Sequence, residues 1–353
     1  MVTRNLFSFA ATAAKTLCLV AAAATALSLA SCSDDDDDGG ASGTETEAGV
    51  ITDTDGNKLY LTSADWMRFD YDSDWQLTGW GDDDYYYFDV SYDPLYMEGH
   101  FLEGGSTEET TTFSNFSINS DGYITKFTVS VDYSDTDYDE SYSETSTLNL
   151  TYDSSGQLTK IVTNGSYKET YEGETYSGSG SGTYVFAWSD GMLTSSTYSG
   201  GNSEYDYTES VTYDYGDKEY ANSTRQYVNS TAEYFWGDYT ALAFLGYFGV
   251  GTTYLPVAMS CEEEEIEDGD TYQWTYNDEF SYGFNDNGTV NWEDWDGEMV
   301  YYTYSDGSSS TAANVRAATS LEGGTTTKAR THGSCNFLRK AWLRHKARIS
   351  SGK

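Results

Sequence analysis

"LNLTYDSSGQLTKIV", residues 148–162, decides the fold. Leu148, Leu150 and Tyr152 alternate with Asn149 and Thr151, the two-residue period of a strand with one buried face. Asp153, Ser154, Ser155 and Gly156 interrupt the run, and a fresh alternation starts at Leu158. A tight turn between twisted strands needs positive φ and short polar side chains, which Gly and Asp supply. The stretch predicts a β-hairpin.

The same unit recurs along the chain. It reads "MRFDYDSDWQLTGW" at 67–80, "FSINSDGYITKFTV" at 116–129 and "YVFAWSDGMLTSSTY" at 184–198. It reads "SVTYDYGDKEYANS" at 210–223 and "FSYGFNDNGTVNWE" at 280–293. Gly122, Gly156, Gly191 and Gly288 fall at the turns. Trp75 occupies a turn position where glycine or a polar residue is usual. The stretches "SDTDYDESYSE" (134–144) and "YEGETYSGSGSG" (171–182) read as long acidic or Gly/Ser-rich loops at the opposite end. The fold class expected is all-β: an antiparallel up-and-down meander over 51–314, closing into a barrel or strongly curled sheet. The apolar run "ALAFLGYFGVGTTYLPVAM" (241–259) breaks the pattern. It predicts one short helical insert near 238–250, with Asp238 at its start and Gly249 or Gly251 at its end. Leu242, Phe244, Leu245 and Phe248 would plug an open end of the barrel.

The two termini differ from this body. Residues 16–30 form an apolar segment behind Arg4 and Lys15, long enough for a secretion signal and short for a membrane-spanning helix. Leu29-Ala30-Ser31-Cys32 follows, and it resembles the lipobox of bacterial lipoproteins. That resemblance implies cleavage after residue 31 and lipidation of Cys32. Ser33 with Asp34, Asp35, Asp36, Asp37 and Asp38 is similar to the acidic export signal of Bacteroidota surface lipoproteins, which implies an outward-facing location. Residues 32–50 then serve as an acidic tether, extended by self-repulsion. At the other end, 315–353 carries nine basic residues and one acid. Phe337, Leu338, Ala341, Trp342, His345 and Ile349 would share one face of a basic amphipathic helix. Such a helix would dock on the acidic body or on anionic lipid. So abrupt a change of composition also fits an appendage never selected to fold with the rest.

Taken together, the lipobox and the repeated Tyr-Asp…Gly-x-Leu-Thr hairpins resemble a Bacteroidota lipoprotein family of unknown function with a porin-like fold. "YDSSGQLTKI" (152–161) is also similar to the YD repeats of large secreted shell proteins, although this body is much shorter. Neither resemblance implies an activity.

Charge bounds function. Between residues 33 and 314 there are 57 acidic and seven basic residues. That excess excludes non-specific nucleic-acid binding, which needs Lys and Arg to neutralise phosphate. It also implies repulsion from anionic membranes, leaving the N-terminal lipid as the membrane contact. Of the four cysteines, Cys261 and Cys335 remain after signal and lipid, and neither has neighbours at metal-ligand spacing. His100 is the only histidine of the body, has no nucleophile motif beside it and is placed near a strand end.

The chain therefore reads as a non-catalytic binding or interaction module, with a glycan or a surface protein as candidate partner. Trp75, Trp292 and Trp295 are candidate ligand-stacking residues, the last two beside acids in "NWEDWDG". The alternatives are a carbohydrate-active enzyme built on a carboxylate pair, or a purely structural surface protein. No cofactor is indicated. Glu262, Glu263, Glu264 and Glu265 in "CEEEEIED" are weak candidates for Ca²⁺, in a stretch that reads as a solvated loop. Alternation alone fits a membrane barrel too. The lipid anchor and the absence of a final aromatic favour a barrel in water.

Overall fold

The computed structural model describes residues 50–64, 67–82, 86–103, 106–135, 140–171, 174–201, 205–232, 240–267 and 270–307. Cys32, Ser33, Asp34 to Asp38 and the basic tail lie outside them.

Seventeen strands appear among the described residues. The first six are β1 (Val50–Thr52), β2 (Lys58–Ala64), β3 (Met67–Tyr71), β4 (Leu77–Asp82), β5 (Tyr86–Tyr92) and β6 (Leu95–Glu103). The next seven are longer: β7 (Ser106–Ile118), β8 (Ile124–Asp135), β9 (Glu140–Tyr152), β10 (Leu158–Tyr171), β11 (Glu174–Ser189), β12 (Met192–Gly201) and β13 (Tyr205–Asp214). Two short helices, α1 (Asn229–Ala232) and α2 (Thr240–Phe244), precede β14 (Ala258–Glu267), β15 (Asp270–Phe284), β16 (Val290–Trp295) and β17 (Glu298–Ser305). From β2 onward each strand pairs antiparallel with the next, and β17 returns to β2 through Tyr302↔Ala64. The result is a closed sixteen-strand barrel, with β1 as an extra strand paired to β2.

Four of the hairpin turns share one chemistry. At Asp153 the side-chain Oδ1 accepts from the N–H groups of Ser155 (2.8 Å) and Gln157 (3.0 Å), and Gly156 adopts φ 77°. Asp53 with Gly56, and Asn119 with Gly122, repeat it. At Asp72 the same contacts are made, but Trp75 takes the glycine's place at φ 62°. Its ring stacks on Tyr60 at 4.6 Å, which offsets the roughly 1–2 kcal/mol that a left-handed conformation costs an L-residue.

The strands bury one face and expose the other. On β9, Tyr142, Glu144, Ser146, Leu148 and Leu150 are buried, while Ser141, Thr145 and Asn149 are exposed. On β11, Ser177, Ser179 and Ser181 face water. Most of the buried apolar residues form one cluster with members from β1 to β17 and from both helices, and Tyr133 and Tyr142 form a second with Tyr167 against it, so the buried face lines the interior. The wall therefore points apolar side chains inward and hydroxyls outward. Exposed large apolar residues such as Ile118, Val185 and Tyr301 are scattered over different strands. Several glycines make room for rings: a Cβ on Gly99 would collide with Phe88, and one on Gly283 with Trp292.

The described segments 215–232 and 240–257 fill the tight-turn end of the barrel. Leu242, Ala243 and Leu255 are fully buried. Phe248 stacks on Phe127 of β8 at 6.1 Å, and Phe244 meets Tyr302 of β17 edge-on at 6.1 Å. Backbone bonds tie the segment to the hairpin turns: Ile124 N–H donates to Tyr247 O, Val250 N–H to Gly156 O, and Thr253 N–H to Gly191 O, each at 2.9 Å. The expected plug is present.

Four expectations need correction. The expected helix near 238–250 is α2, with α1 preceding that stretch, but α2 ends at Phe244, where Gly246 (φ 78°) turns the chain before Gly249 or Gly251 is reached. Asp238 lies outside the described residues. "SVTYDYGDKEYANS" is no hairpin, because β13 stops at Asp214 and the chain enters the barrel. The described parts of the acidic and Gly/Ser-rich stretches are strand: 134–135 ends β8, 140–144 begins β9, and β11 runs through "SGSGSG" with Gly178, Gly180 and Gly182 on the inward parity. "CEEEEIE" belongs to β14 rather than a loop, because its glutamates pair in register with β13 and β15.

Candidate functional site

Beyond the plug, the interior changes character toward the other end. The inward residues there are tyrosines and carboxylates. Glu109, Glu144, Glu169, Glu209, Glu265 and Asp278 are all buried. Register sets them beside aromatic rings on neighbouring strands: Glu144 opposite Tyr167, Tyr142 opposite Glu169, and Tyr207 opposite Glu265. The Tyr142 hydroxyl donates to Glu144 at 2.8 Å, as does Ser146, and Tyr207 donates to Glu209 at 3.0 Å. Burial, with Glu144 beside it, holds the Tyr142 hydroxyl far above its ordinary range, so it remains a donor at any physiological pH.

One row crosses four strands. Tyr198 on β12 faces Glu209 on β13, which faces Glu263 on β14, which faces Trp274 on β15. Trp274 stacks with Tyr272 at 6.2 Å and 16°, and the two remain 44% and 45% exposed despite lying on the inward parity. These rings therefore mark a solvent-accessible rim. One row deeper, buried Cys261 brings its sulfur within 4.8 Å of carboxylate oxygens of Glu209 and Glu263. A cavity of about 600 Å³ lies against the same four strands. It is lined chiefly by residues of the exposed parity, among them Thr197, Ser210, Glu262, Glu264 and Gln273.

The sequence-derived candidates are dispersed. Trp75 lies in the β3–β4 turn with one face covered by Tyr60. Trp295 packs edge-on against Phe280 at 5.4 Å, and Trp292 covers Gly283 on the exposed side. The strand period splits the four glutamates: Glu263 and Glu265 point inward, Glu262 and Glu264 outward. The four therefore do not share one face of the sheet. His100 lies within β6, with Nε2 3.3 Å from Glu98 on the same exposed parity. Sequence reading missed the inward Tyr–Glu tier. Its signal was present as "YSE" at 142–144 and "YTE" at 207–209, but the many acids of the chain hid it.

A further buried carboxyl joins wall to plug. Glu293 of β16 is fully buried. It accepts from the Ser230 N–H at 2.8 Å and the Tyr302 hydroxyl at 2.9 Å. Ser230 Oγ shares a hydrogen bond with the Tyr282 hydroxyl at 2.8 Å, and Asn229 N–H donates to Tyr302 at 2.7 Å. Burial pushes the Glu293 carboxyl up to about 7, against the opposing pull of those donors.

No protein-family profile matches the chain, and no curated protein matches it in sequence. Several solved chains are similar, two of them porin-like proteins. One is a porin-like protein from Bacteroides vulgatus, 15% identical, covering 74% of this chain and 99% of its own, with a TM-score of 0.43. The other is a porin-like protein from Bacteroides uniformis, 15% identical, covering 74% and 98%, with a TM-score of 0.38.

Proposed function

We propose that this chain is a lipid-anchored outer-membrane protein whose barrel stands in water, facing outward, as a non-catalytic binding module. The observation that carries the reading is the polarity of the wall. A lipid-facing barrel needs an apolar outer band, whereas this one presents Ser141, Thr145, Asn149 and the serines of β11 to the outside. Its apolar residues point inward, and 215–232 with 240–257 fills one end. Hydroxyls cannot replace acyl-chain contacts without desolvation cost, so the sheet belongs in the aqueous phase. Anchoring then falls to Cys32, with residues 33–49 as spacer.

The binding face is the open rim. Trp274 and Tyr272 offer a stacked aromatic platform, and Glu263, directly opposite Trp274 on the same face, offers a carboxylate acceptor. Aromatic faces with adjacent carboxylates suit a sugar ring, whose C–H face stacks while its hydroxyls donate. A glycan-array screen of the intact protein, repeated with Trp274→Ala, tests this. Binding that is lost in the variant supports the reading. A negative screen, or binding indifferent to Trp274, removes the glycan assignment.

A further inference from the structure

Glu293 is the one carboxylate fully enclosed between wall and plug among the described residues. Its position is structural on both sides. Its own strand, β16, is part of the closed barrel, while its first acceptor contact reaches α1 of the plug. The same α1 is tied a second time through Ser230 to Tyr282, which in turn donates to Pro256 O at 2.9 Å. A third tie runs from Asn229 N–H to Tyr302. Four residues therefore form a clasp, with the carboxyl at its centre. We propose that Glu293 is a proton-controlled clasp on the plug: the neutral carboxyl seats α1 against the wall, and the carboxylate loosens it.

The physical reason is the enclosure. An ionised carboxylate in this site gains two donors but loses its hydration, and burial outweighs the donors. The titratable groups that face it are Tyr282 of β15 and Tyr302 of β17. Tyr304 lies beside Tyr302, and Tyr220 and Tyr215 lie beyond Tyr282. Burial raises each of these hydroxyls, so none ionises in the range where Glu293 does. From α1 come only Asn229 and Ser230, which do not titrate. All the described lysines are exposed, and Arg225 of the plug is committed to Gly251 O at 2.7 Å.

The direction follows from proton linkage. A carboxyl raised from 4.5 to about 7 in the seated state holds its proton more tightly there than in the open state. Seating is therefore strongest below the open-state value and weakens as pH rises through the seated one. Opening should increase about tenfold per pH unit between about pH 5 and pH 7, then level off. The whole span is a few hundredfold, about 300-fold at most.

Hydrogen exchange on the intact protein reads this directly. The reporters are the amides of Thr231, Ala232, Leu245 and Tyr247, all bonded within the plug. After correction for the intrinsic exchange rate, their protection should fall between pH 5 and 7, roughly as that linkage gives, while strand amides of β8 and β9 change little. Glu293→Gln, neutral at every pH, should abolish the slope. Tyr302→Phe removes a donor that favours the charged form, so its slope should extend to higher pH. Flat protection in the natural chain, or the same slope in Glu293→Gln, overturns the proposal. If Glu293→Gln fails to fold, an unmoved transition in Tyr302→Phe overturns it instead.

Discussion

Replacing Phe248 with alanine tests whether the plug around 240–257 is core or a loop folded loosely into the barrel. The ring is 1% exposed and stacks on Phe127, itself fully buried. Truncating such a ring removes its transfer free energy and leaves a cavity that packed walls refill only in part, at about 3–5 kcal/mol. A domain holds only about 5–15 kcal/mol in total, so the loss is a large fraction. For a chain of this size it lowers the melting temperature by roughly 6–20 °C, at about 2–4 °C per kcal/mol. Urea unfolding followed by circular dichroism and by tryptophan fluorescence gives the number. The midpoint should fall with an unchanged slope, and the two probes should coincide. A cycle with Phe127→Ala should show coupling of about 0.5–1.5 kcal/mol from the ring pair. A loss below about 1 kcal/mol, or an early transition confined to one probe, refutes the reasoning that the plug is core.

Other substitutions test the wall and turns. Leu148→Ser, at a buried position of β9, should destabilise by about 3 kcal/mol or more, while Thr147→Leu, its outward neighbour, should stay within about 0.5 kcal/mol in the same urea assay. Gly99→Val should prevent Phe88 from keeping its place, and loss of a cooperative thermal transition is the expected readout. Asp153→Ala removes the acceptor of two turn N–H groups and should cost about 1–2 kcal/mol without shifting the strand register seen by amide exchange.

Much of this architecture was legible because hairpins are local. Leu148 to Val162 carries strand period, turn residues and return strand within one window, and the structure follows it through Leu150↔Ile161. The plug was legible for the same reason: an apolar run without alternation, too long to be a turn, has to be covered by something. Strand length was not. "SGSGSG" reads as loop because glycine disfavours strands, yet register with β10 and β12 holds it extended. The site was hidden by degeneracy. Glu209 and Glu263 are two acids among many, and only the β13–β14 register brings them face to face with Trp274 alongside. Trp75, conspicuous in sequence as a turn residue, stacks its ring on Tyr60, a contact across strands that the local window does not show. Glu293 could not be singled out at all, because its partners Ser230 and Tyr302 lie 63 and nine residues away.

The central claim is that the barrel is built for water and held at the membrane only by its lipid. Full-length Cys32→Ala, made in a bacterium that lipidates the natural chain, tests it by fractionation without detergent. The account predicts that the variant moves to the aqueous fraction as a folded monomer or small oligomer with the β-rich spectrum of the natural protein. A variant that stays in the membrane and resists alkaline extraction would contradict it, and would mean that the strands themselves face lipid.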